Sequence, residues 1–451
     1  MERNFDLIVI GTGAAGSTVA HKCREAGWDV AIIDSLPFGG TCALRGCDPK
    51  KVLVGAADVI DWTTRMQGKG VATQSARIDW PALMRFKRTF TDPVPESRQQ
   101  GFDQAGIATF HGRARFVDRT TLQVNEDVLS GRFVHIAAGS RPGAMGIDGE
   151  EHLITSDQFL DLDELPKRIT FAGGGYISFE FAHLAARAGA EVRIIHRGAR
   201  PLERFDADLV DELLVASRDA GIDIVLNTVV KSIEQTGEHF VIKGSVGGVE
   251  KTFETDLVVH GAGRVPDIDD LNLDAANIKR EKDGVSVNEY LQSVSNPAVY
   301  AAGDSVASGG FKLTPVASMQ ADIAAANMLD GNQRKVNYEG IPTVVFTIPP
   351  LASVGLSEAE ALKQHLKFKT NYAKTSEWYS SRRINAKHSA FKVLIEEKTD
   401  RILGAHLLGP HAEETINLFG LAIRARLKAE DLRTMIYAYP THASDVIHML
   451  A

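Results

Sequence analysis

A strand, a glycine-rich turn, a helix and a second strand follow one another twice in this chain of 451 residues. The first copy has an apolar strand at residues 6–10, a turn at 11–16 and a helix to about residue 27. Its second strand, at 28–33, is followed by Asp34. Gly11 permits a tight turn, Gly13 lets backbone approach a pyrophosphate, and Gly16 lets helix and strand pack closely. With a helix N-terminus for phosphate and Asp34 for a ribose hydroxyl, the pattern predicts a dinucleotide site in an α/β fold.

The second copy differs from the first at two positions. It comprises a strand at 169–172, a turn at 173–178, a helix containing Glu180 and a strand at 191–195. Ser178, still a small residue, replaces the third glycine. The second strand ends in His196 and Arg197, with Arg200 nearby and no acid. A basic strand end favours the extra phosphate of NADP over a free 2′-hydroxyl, whereas solvated surface charge is the alternative interpretation.

Two of the three cysteines lie shortly after the first nucleotide motif. Four residues separate Cys42 from Cys47, a spacing that predicts both sulfurs on one helical turn and able to form a disulfide. So short a ring adds little stability, which favours electron transfer by thiol–disulfide exchange. Cys23, in the first helix, is interpreted as a packing residue. Two dinucleotide folds beside a dithiol imply a tightly held flavin and a diffusible hydride donor.

The bulk composition excludes several classes of protein. Apolar residues make up 44% of the chain and charged residues 24%, and the net charge of −8 is spread without long runs. We therefore expect no nucleic-acid partner. No apolar run reaches the ~18 residues of a membrane helix, and residues 1–10 lead into a strand without a secretory signal. With few cysteines, the chain is expected to be cytoplasmic and off the membrane.

Five further segments make the chain resemble the class I pyridine nucleotide–disulfide oxidoreductases, which include glutathione reductase, dihydrolipoyl dehydrogenase and mercuric reductase. They are residues 137–142, 261–266, 300–304, 313–317 and 341–346. The resemblance implies an α/β fold with two Rossmann-like dinucleotide-binding domains, for FAD and NADPH, and a C-terminal α+β dimerisation domain. The implied boundaries are 1–147 with 269–335 for FAD, 148–268 for NADPH and 336–451 for dimerisation. It also implies a homodimer with a shared active site and a role in cell redox homeostasis.

The resemblance assigns cofactor contacts residue by residue. For FAD these are Gly11, Gly13, Ala14, Gly16, Asp34, Gly40, Thr41, Lys50, Ala138, Gly139, Gly303, Asp304, Thr314 and Pro315. For NADPH they are Gly173, Gly175, Tyr176, Ile177, Glu180, His196, Arg197, Gly263 and Arg264. No resident metal is predicted.

The catalytic residues are implied in the same way. Cys47 matches the thiol next to the flavin and Cys42 the interchange thiol that attacks the substrate, with a helix N-terminus expected to favour the thiolate. Lys50 and Glu180 match an ion pair near flavin N5. Tyr176 matches a gate over the nicotinamide pocket.

The C-terminal segment 439–445 departs from the family pattern. Disulfide-reducing members have a catalytic His at the position of Tyr439 and an orienting Glu at that of Ser444. Three interpretations remain open. His442 could be the base, paired with Asp445; Tyr439 could be a weak acid or a ligand contact; or the interchange could proceed without a dedicated base.

The electron acceptor is the second open question. Positions that hold glutathione-binding arginines in glutathione reductases match His21 and Asp322, and an Asp there would repel a glutathione carboxylate. Mercuric reductases carry Tyr at about position 439 but also use a C-terminal cysteine pair, and no cysteine follows Cys47. The sequence predicts NADPH-dependent, FAD-containing reduction of a small disulfide, like glutathione reductase. The alternatives are a mercuric-ion, other metal or quinone reductase, dihydrolipoamide oxidation, and a non-catalytic redox sensor.

Overall fold

The computed structural model describes residues 2–72, 76–307, 309 and 311–451. The chain folds into two compact units. The first comprises Met1–Lys50, Arg85–Gly143 and Arg264–Tyr338, and the second Lys51–Met84, Ala144–Gly263 and Glu339–Ala451. Met1, the start of the predicted FAD domain, lies outside the described residues. The three-domain boundaries stay a prediction.

The helices are α1 (Ala14–Glu25), α2 (Gly40–Arg45), α3 (Cys47–Met66), α4 (Trp80–Thr91), α5 (Val94–Ala105), α6 (Ser156–Phe159), α7 (Tyr176–Arg187), α8 (Ala207–Asp219), α9 (Thr314–Asp330), α10 (Glu358–Lys363), α11 (Tyr379–Arg382), α12 (Ala412–Arg424), α13 (Ala429–Arg433) and α14 (Val446–Met449). Short 3₁₀ helices occupy Glu150–His152, Gly303–Ser305 and His442–Asp445.

The strands are β1 (Glu2–Ile10), β2 (Val30–Asp34), β3 (Ala108–His111), β4 (Ala114–Phe116), β5 (Thr121–Val124), β6 (Asp127–Ile136), β7 (Ser140–Pro142), β8 (Leu153–Ile154), β9 (Arg168–Ala172), β10 (Glu191–Ile195), β11 (Asp223–Val225), β12 (Thr228–Thr236), β13 (His239–Val246), β14 (Val249–Thr255), β15 (Leu257–His260), β16 (Arg264–Pro266), β17 (Arg280–Glu281), β18 (Gly284–Val285), β19 (Val299–Ala301), β20 (Thr343–Val345), β21 (Leu351–Gly355), β22 (Phe368–Lys374), β23 (Ala390–Glu396) and β24 (Ile402–Leu408).

The first unit is built on a seven-stranded sheet in the order β3-β2-β1-β6-β5-β4, with β19 paired to β6. β1 runs parallel to β2 and β6, so Leu7 lies beside Val30 and Phe133. Leu7, Ile8 and Val9 are fully buried because both faces of the sheet are covered, which explains the continuous apolar run in the sequence.

The second unit carries the second nucleotide motif on a parallel sheet in the order β11-β10-β9-β15-β8. An antiparallel sheet of β12, β13 and β14 follows. A five-stranded antiparallel sheet, β20-β21-β24-β23-β22, supports α12 and the C-terminal segment. Two doubly wound nucleotide folds and an α+β C-terminal part confirm the predicted α/β fold class.

No helix in the described part of the chain combines the length and apolar character needed to cross a bilayer.

His135 is a buried polar residue in the centre of the first sheet. It lies on β6, in register with Val9 of β1 and Tyr300 of β19, and is fully buried. Neither ring nitrogen has a hydrogen-bond partner among the described residues. Burial disfavours the charged imidazolium and lowers the pKa of His135 to about 3, so this side chain is neutral in the folded protein.

We expect acid to destabilise the protein through His135. Its pKa is about 3 in the folded chain and 6.5 in the unfolded one, so the unfolded state binds the extra proton as the pH falls below 6.5. The resulting loss is about 2 kcal/mol of unfolding free energy between pH 7 and pH 5. Urea unfolding of wild type and His135→Leu at both pH values measures it. The variant should lose less stability on acidification, whereas equal losses would contradict this account.

Candidate active site

The first glycine turn is built by close backbone packing. Gly11 has φ +103°, and a Cβ there would lie 2.2 Å from the carbonyl oxygen of Ala137. A Cβ on Gly16 would lie 1.9 Å from the oxygen of Gly11. Gly13 caps α1 with no side-chain hydrogen bond, so the N–H groups of the first turn, from Ala14 onward, are left for a ligand.

Asp34 fixes this turn as well as ending β2. Its Oδ2 accepts hydrogen bonds from the Thr12 amide (2.8 Å) and hydroxyl (2.6 Å), and its Oδ1 accepts from the Leu36 amide at 3.0 Å. A carboxylate has about four acceptor positions, so one remains for a ribose hydroxyl. A cavity of about 670 Å³ opens beside it, between Ser35 after β2 and His111 at the end of β3. This edge of the sheet is where the adenosine half of a dinucleotide lies in such folds.

The other predicted FAD residues of the first unit lie on neighbouring segments. Gly40 and Thr41 begin α2, and a Cβ on Gly40 (φ +70°) would lie 2.3 Å from the Cα of Gly13. Ala138 and Gly139 follow β6. Gly303 and Asp304 form a 3₁₀ turn, and Thr314 and Pro315 begin α9.

Arg264 was predicted to bind NADPH, yet it belongs to the first unit. Its guanidinium donates to the hydroxyl and carbonyl oxygens of Ser140, and the Ser140 hydroxyl donates to Asp304 Oδ2 at 2.8 Å. This series of hydrogen bonds joins β7 and β16 to the loop after β19. The glycine cradle, the uncapped start of α1 and these polar groups fit a bound FAD.

Cys42 and Cys47 lie on two consecutive helices, which corrects the prediction of a single helical turn. Cys42 is in α2 and Cys47 opens α3, with Gly46 between them. A Cβ on Gly46 would lie 2.8 Å from the Thr41 carbonyl oxygen, so the glycine allows the chain to turn there. Both cysteines are free thiols in this structure and hydrogen-bond to each other.

The two thiols have opposite acidities. The pKa of Cys47 falls to about 6, mainly because it accepts the Cys42 thiol hydrogen, with help from the Thr314 hydroxyl and the charge of Lys50. Thr314 Oγ1 lies 3.6 Å from Cys47 Sγ. The pKa of Cys42 rises because it donates that hydrogen and is partly buried. The thiolate therefore resides on Cys47, at the N-terminus of α3, and not on Cys42, which was predicted to be the interchange thiol.

The second glycine turn repeats the close packing of the first. Gly173 (φ +117°) passes so near β15 that a Cβ would lie 2.3 Å from the Gly261 oxygen. Gly175 caps α7 without a side-chain bond, and Tyr176, half exposed, and Ile177 begin the helix. Gly263, with φ +116°, lies after β15.

The basic end of β10 supplies less free charge than its sequence indicates. His196 is buried, and burial lowers its pKa. Its ring packs against Gly174, where a Cβ would lie only 2.6 Å from the ring atom Nδ1. Arg200 is held by Asp211 through two bonds of 2.9 and 2.8 Å. Arg197 is exposed, and no ion pair is found for it among the residues that the structure describes. Of the three basic residues, Arg197 is the one available to a phosphate.

Glu180 and Lys50 belong to different units. Glu180, 2% exposed, lies in α7 and accepts the Phe346 amide hydrogen at 2.8 Å. Lys50 lies half-buried in the first turn of α3. Their predicted pairing stays a prediction.

The C-terminal segment places its candidate residues in two environments. Tyr439 is 79% exposed. His442 packs on His411, with ring centroids 4.9 Å apart, and its buried Nε2 has no hydrogen-bond partner among the described residues. Burial, His411 and Arg383 lower the pKa of His442 to about 4. Asp445, the suggested partner of His442, instead accepts the hydroxyl hydrogen of Ser380.

Three side-chain contacts at the predicted site residues were not predicted from the sequence. Thr314 lies against Cys47 although 267 positions away. Asp48 lies 3.8 Å from Cys42. Lys22, next to His21, pairs with Asp322 at 2.7 Å. Of these contacts, only that of Asp48 could have been predicted from the sequence, because Asp48 directly follows Cys47. Among the described residues no three or more His, Cys, Asp or Glu are grouped to hold a metal ion.

Comparison with known proteins agrees with this arrangement. The family model described as pyridine nucleotide-disulphide oxidoreductase matches residues 5–321, and that of its dimerisation domain matches 341–450. The chain is 31% identical to a mercuric reductase of Lysinibacillus sphaericus, over 98% of this chain and 81% of that protein. It is also 31% identical to a glutathione reductase of Burkholderia cepacia, over 98% of both chains. A dihydrolipoyl dehydrogenase of Chlamydia trachomatis is 30% identical, over 98% of this chain and 95% of that one.

Among solved structures, the fold is similar to the Cu(II) complex of the HOCl-induced flavoprotein disulfide reductase RclA from Escherichia coli. The TM-score is 0.89 at 26% identity, over 99% of each chain. The chain therefore belongs to the class I pyridine nucleotide–disulfide oxidoreductases, flavoproteins that carry FAD and a redox-active disulfide.

Proposed function

We propose that this protein is an NADPH-dependent reductase of a small disulfide, with an electron path like that of glutathione reductase. The unequal pair of thiols carries the proposal: a thiolate on Cys47 beside a protonated, partly exposed Cys42. Cys42 can then attack an acceptor once its proton is removed, while the Cys47 thiolate is ready to resolve the mixed disulfide.

The chain's own residues hold and orient the reacting groups. FAD, when bound, carries electrons from the nicotinamide coenzyme to the Cys42–Cys47 disulfide. Thr314 and Lys50 stabilise the thiolate of Cys47. The two glycine turns would hold the pyrophosphates of FAD and of the coenzyme, and Tyr176, at the start of α7, would be the gate over the nicotinamide.

Arg197 supports NADPH over NADH as the coenzyme. In such folds the ribose of the coenzyme lies at the end of the second strand, here β10. An exposed guanidinium at that point, with no ion pair among the described residues, is suited to bind a 2′-phosphate.

We expect Arg197→Ala to lower kcat/KM for NADPH by about 10- to 100-fold, since a charge-assisted hydrogen bond contributes about 1.5–3 kcal/mol. The value for NADH should stay unchanged. Arg200→Ala is the matched control: its side chain is bound to Asp211, so its effect should stay below about threefold. Equal losses with both coenzymes would contradict the assignment of Arg197.

Charge near the first helix argues against glutathione disulfide as the acceptor. Lys22 and Asp322 neutralise each other, and the ring of His21 is stacked on Phe102 with centroids 5.4 Å apart. None of the three is therefore a free cation for a glutathione carboxylate. A small disulfide with little negative charge fits better.

The C-terminal segment of a partner subunit in a homodimer is assigned to the acceptor side of the active site. The three-domain boundaries given by the sequence, with residues 336–451 forming the dimer interface, belong to this proposal. Burial and the neighbouring His411 and Arg383 keep His442 neutral near pH 7 and disfavour its protonation, whereas exposed Tyr439 is suited to contact the acceptor.

Metal-ion reduction is the second candidate function. It is favoured by exposed Tyr439 in place of the catalytic His and by the similarity to mercuric reductases and to a reductase that has a Cu(II) complex. The same dithiol would receive the ion.

Anaerobic titration with NADPH followed by a panel of acceptors tests both candidates. Turnover of a small disulfide would support the leading proposal and identify its substrate. Turnover of Hg(II), Cu(II) or quinones alone would replace it by the second.

A further inference from the structure

Asp48 lies against the interchange thiol. Its Oδ1 is 3.8 Å from Cys42 Sγ, so Asp48 is a second acceptor within reach of the hydrogen that Cys42 can donate to Cys47. Asp48 is the second residue of α3 and is exposed, so an acceptor approaching Cys42 would also meet this carboxylate. The contact with Cys42 is the one hydrogen bond found for the Asp48 side chain among the described residues.

We propose that Asp48 is the proton acceptor for Cys42 when that thiol attacks the electron acceptor, in place of the histidine that is Tyr439 in this chain. The inference deepens the proposed function and rests on it. A carboxylate in the first turn of a helix also interacts favourably with the helix dipole. If Asp48 only stabilised α3 in this way, it would need no contact with a thiol. The contact with sulfur, and the protonated state of Cys42, distinguish the two roles.

The acceptor disulfide is reduced in two displacements at sulfur. Cys42 sulfur bonds to one sulfur of the acceptor disulfide as its proton moves to Asp48, and the acceptor S–S bond breaks. Asp48 gives that proton to the departing sulfur. The Cys47 thiolate then attacks Cys42 sulfur, which re-forms the enzyme disulfide and releases the second sulfur, and this sulfur takes a proton from water. The dithiol is oxidised by two electrons and the acceptor becomes two thiols.

Among the described residues, Cys47 and the Thr314 hydroxyl also hydrogen-bond to Cys42, and Cys47 is the one of the two that could take its proton. A proton moved to Cys47 would remove the thiolate that the second displacement needs. Asp48 avoids this because its carboxylate takes no part in the S–S exchange. The charged and titratable groups that act on the two thiols are Asp48, Lys50 and the thiols themselves.

The test is a single-turnover reoxidation of the NADPH-reduced holoenzyme by hydroxyethyl disulfide, an uncharged probe, between pH 6 and 9. We expect Asp48→Asn to slow the exchange at pH 7 by about 100-fold, the usual size of a general-base contribution. Reduction of the enzyme by NADPH should keep the wild-type rate. Asp48→Glu, which keeps a carboxylate, should recover part of the lost rate.

A purely electrostatic role of Asp48 predicts the opposite change in the exchange rate. If Asp48 only raised the pKa of Cys42 by its charge, Asp48→Asn would make the thiolate easier to form and speed the exchange. An unchanged or faster rate therefore overturns the proposal. Asp58→Asn, ten residues and about 15 Å further along α3, controls for loss of one charge on the same helix. Hydroxyethyl disulfide tests the role of Asp48 whichever acceptor is physiological. The acceptor panel tests the proposed function, so the two proposals can fail independently.

Discussion

Cys42→Ser should abolish reduction of disulfide acceptors while NADPH still reduces the bound flavin. Serine keeps the shape of the side chain but lacks the sulfur that forms the mixed disulfide, so we expect turnover to fall on the order of 10³-fold or more. Coenzyme oxidation and flavin reduction do not need this sulfur. Stopped-flow measurement of flavin absorbance with NADPH, followed by steady-state assays with the preferred disulfide, separates the two half-reactions.

Cys23→Ala is the matched control for this prediction. Cys23 is fully buried in α1, and burial raises the pKa of its thiol to about 12, so it is a packing residue. Its loss should cost about 1 kcal/mol of stability and leave turnover unchanged. Parental disulfide reduction by Cys42→Ser would remove Cys42 from the assigned role, and an inactive Cys23→Ala enzyme that still folds would contradict the packing role of Cys23.

Gly13→Ala should give a folded protein that has lost most of its flavin. A Cβ on Gly13 would lie 3.7 Å from the Cα of Gly40, an ordinary contact, so the fold should tolerate it. The same methyl group would stand at the uncapped start of α1, where the pyrophosphate must approach backbone. We expect flavin affinity to fall at least about tenfold, which corresponds to about 1.4 kcal/mol. The flavin-to-protein absorbance ratio after purification measures it.

Gly55→Ala is the corresponding control within a helix. Gly55 lies exposed in α3, and a Cβ there meets no atom within 4 Å. This change should stabilise the helix by up to about 1 kcal/mol and leave flavin content unchanged. Full flavin content in Gly13→Ala would mean that the first glycine turn does not hold the FAD pyrophosphate.

The cofactor turns were predictable because each depends on neighbours along the chain. A βαβ unit places its glycines, helix start and strand end within about 30 residues, so spacing alone indicates which backbone must approach which. Gly11 and Gly173 are found as expected, each pressed against a neighbouring strand end. The basic end of β10 shows the limit of the same reasoning. Whether Arg200 is free depends on Asp211, a residue of the following helix that no motif marks.

The sequence by itself determined the family and the α/β class, and it predicted Cys42 and Cys47 as the exchanging pair, since these follow from local order and spacing. The tertiary structure alone decided which thiol holds the charge. That choice depends on the turn at Gly46, which sets Cys47 at the start of a helix, where it accepts the Cys42 thiol hydrogen, and sets Cys42 beside Asp48. Thr314, brought from 267 positions away, lowers the pKa of both thiols. Acidity is set by distance and burial, and residues far apart along the chain become neighbours only when the sheet and helices are packed.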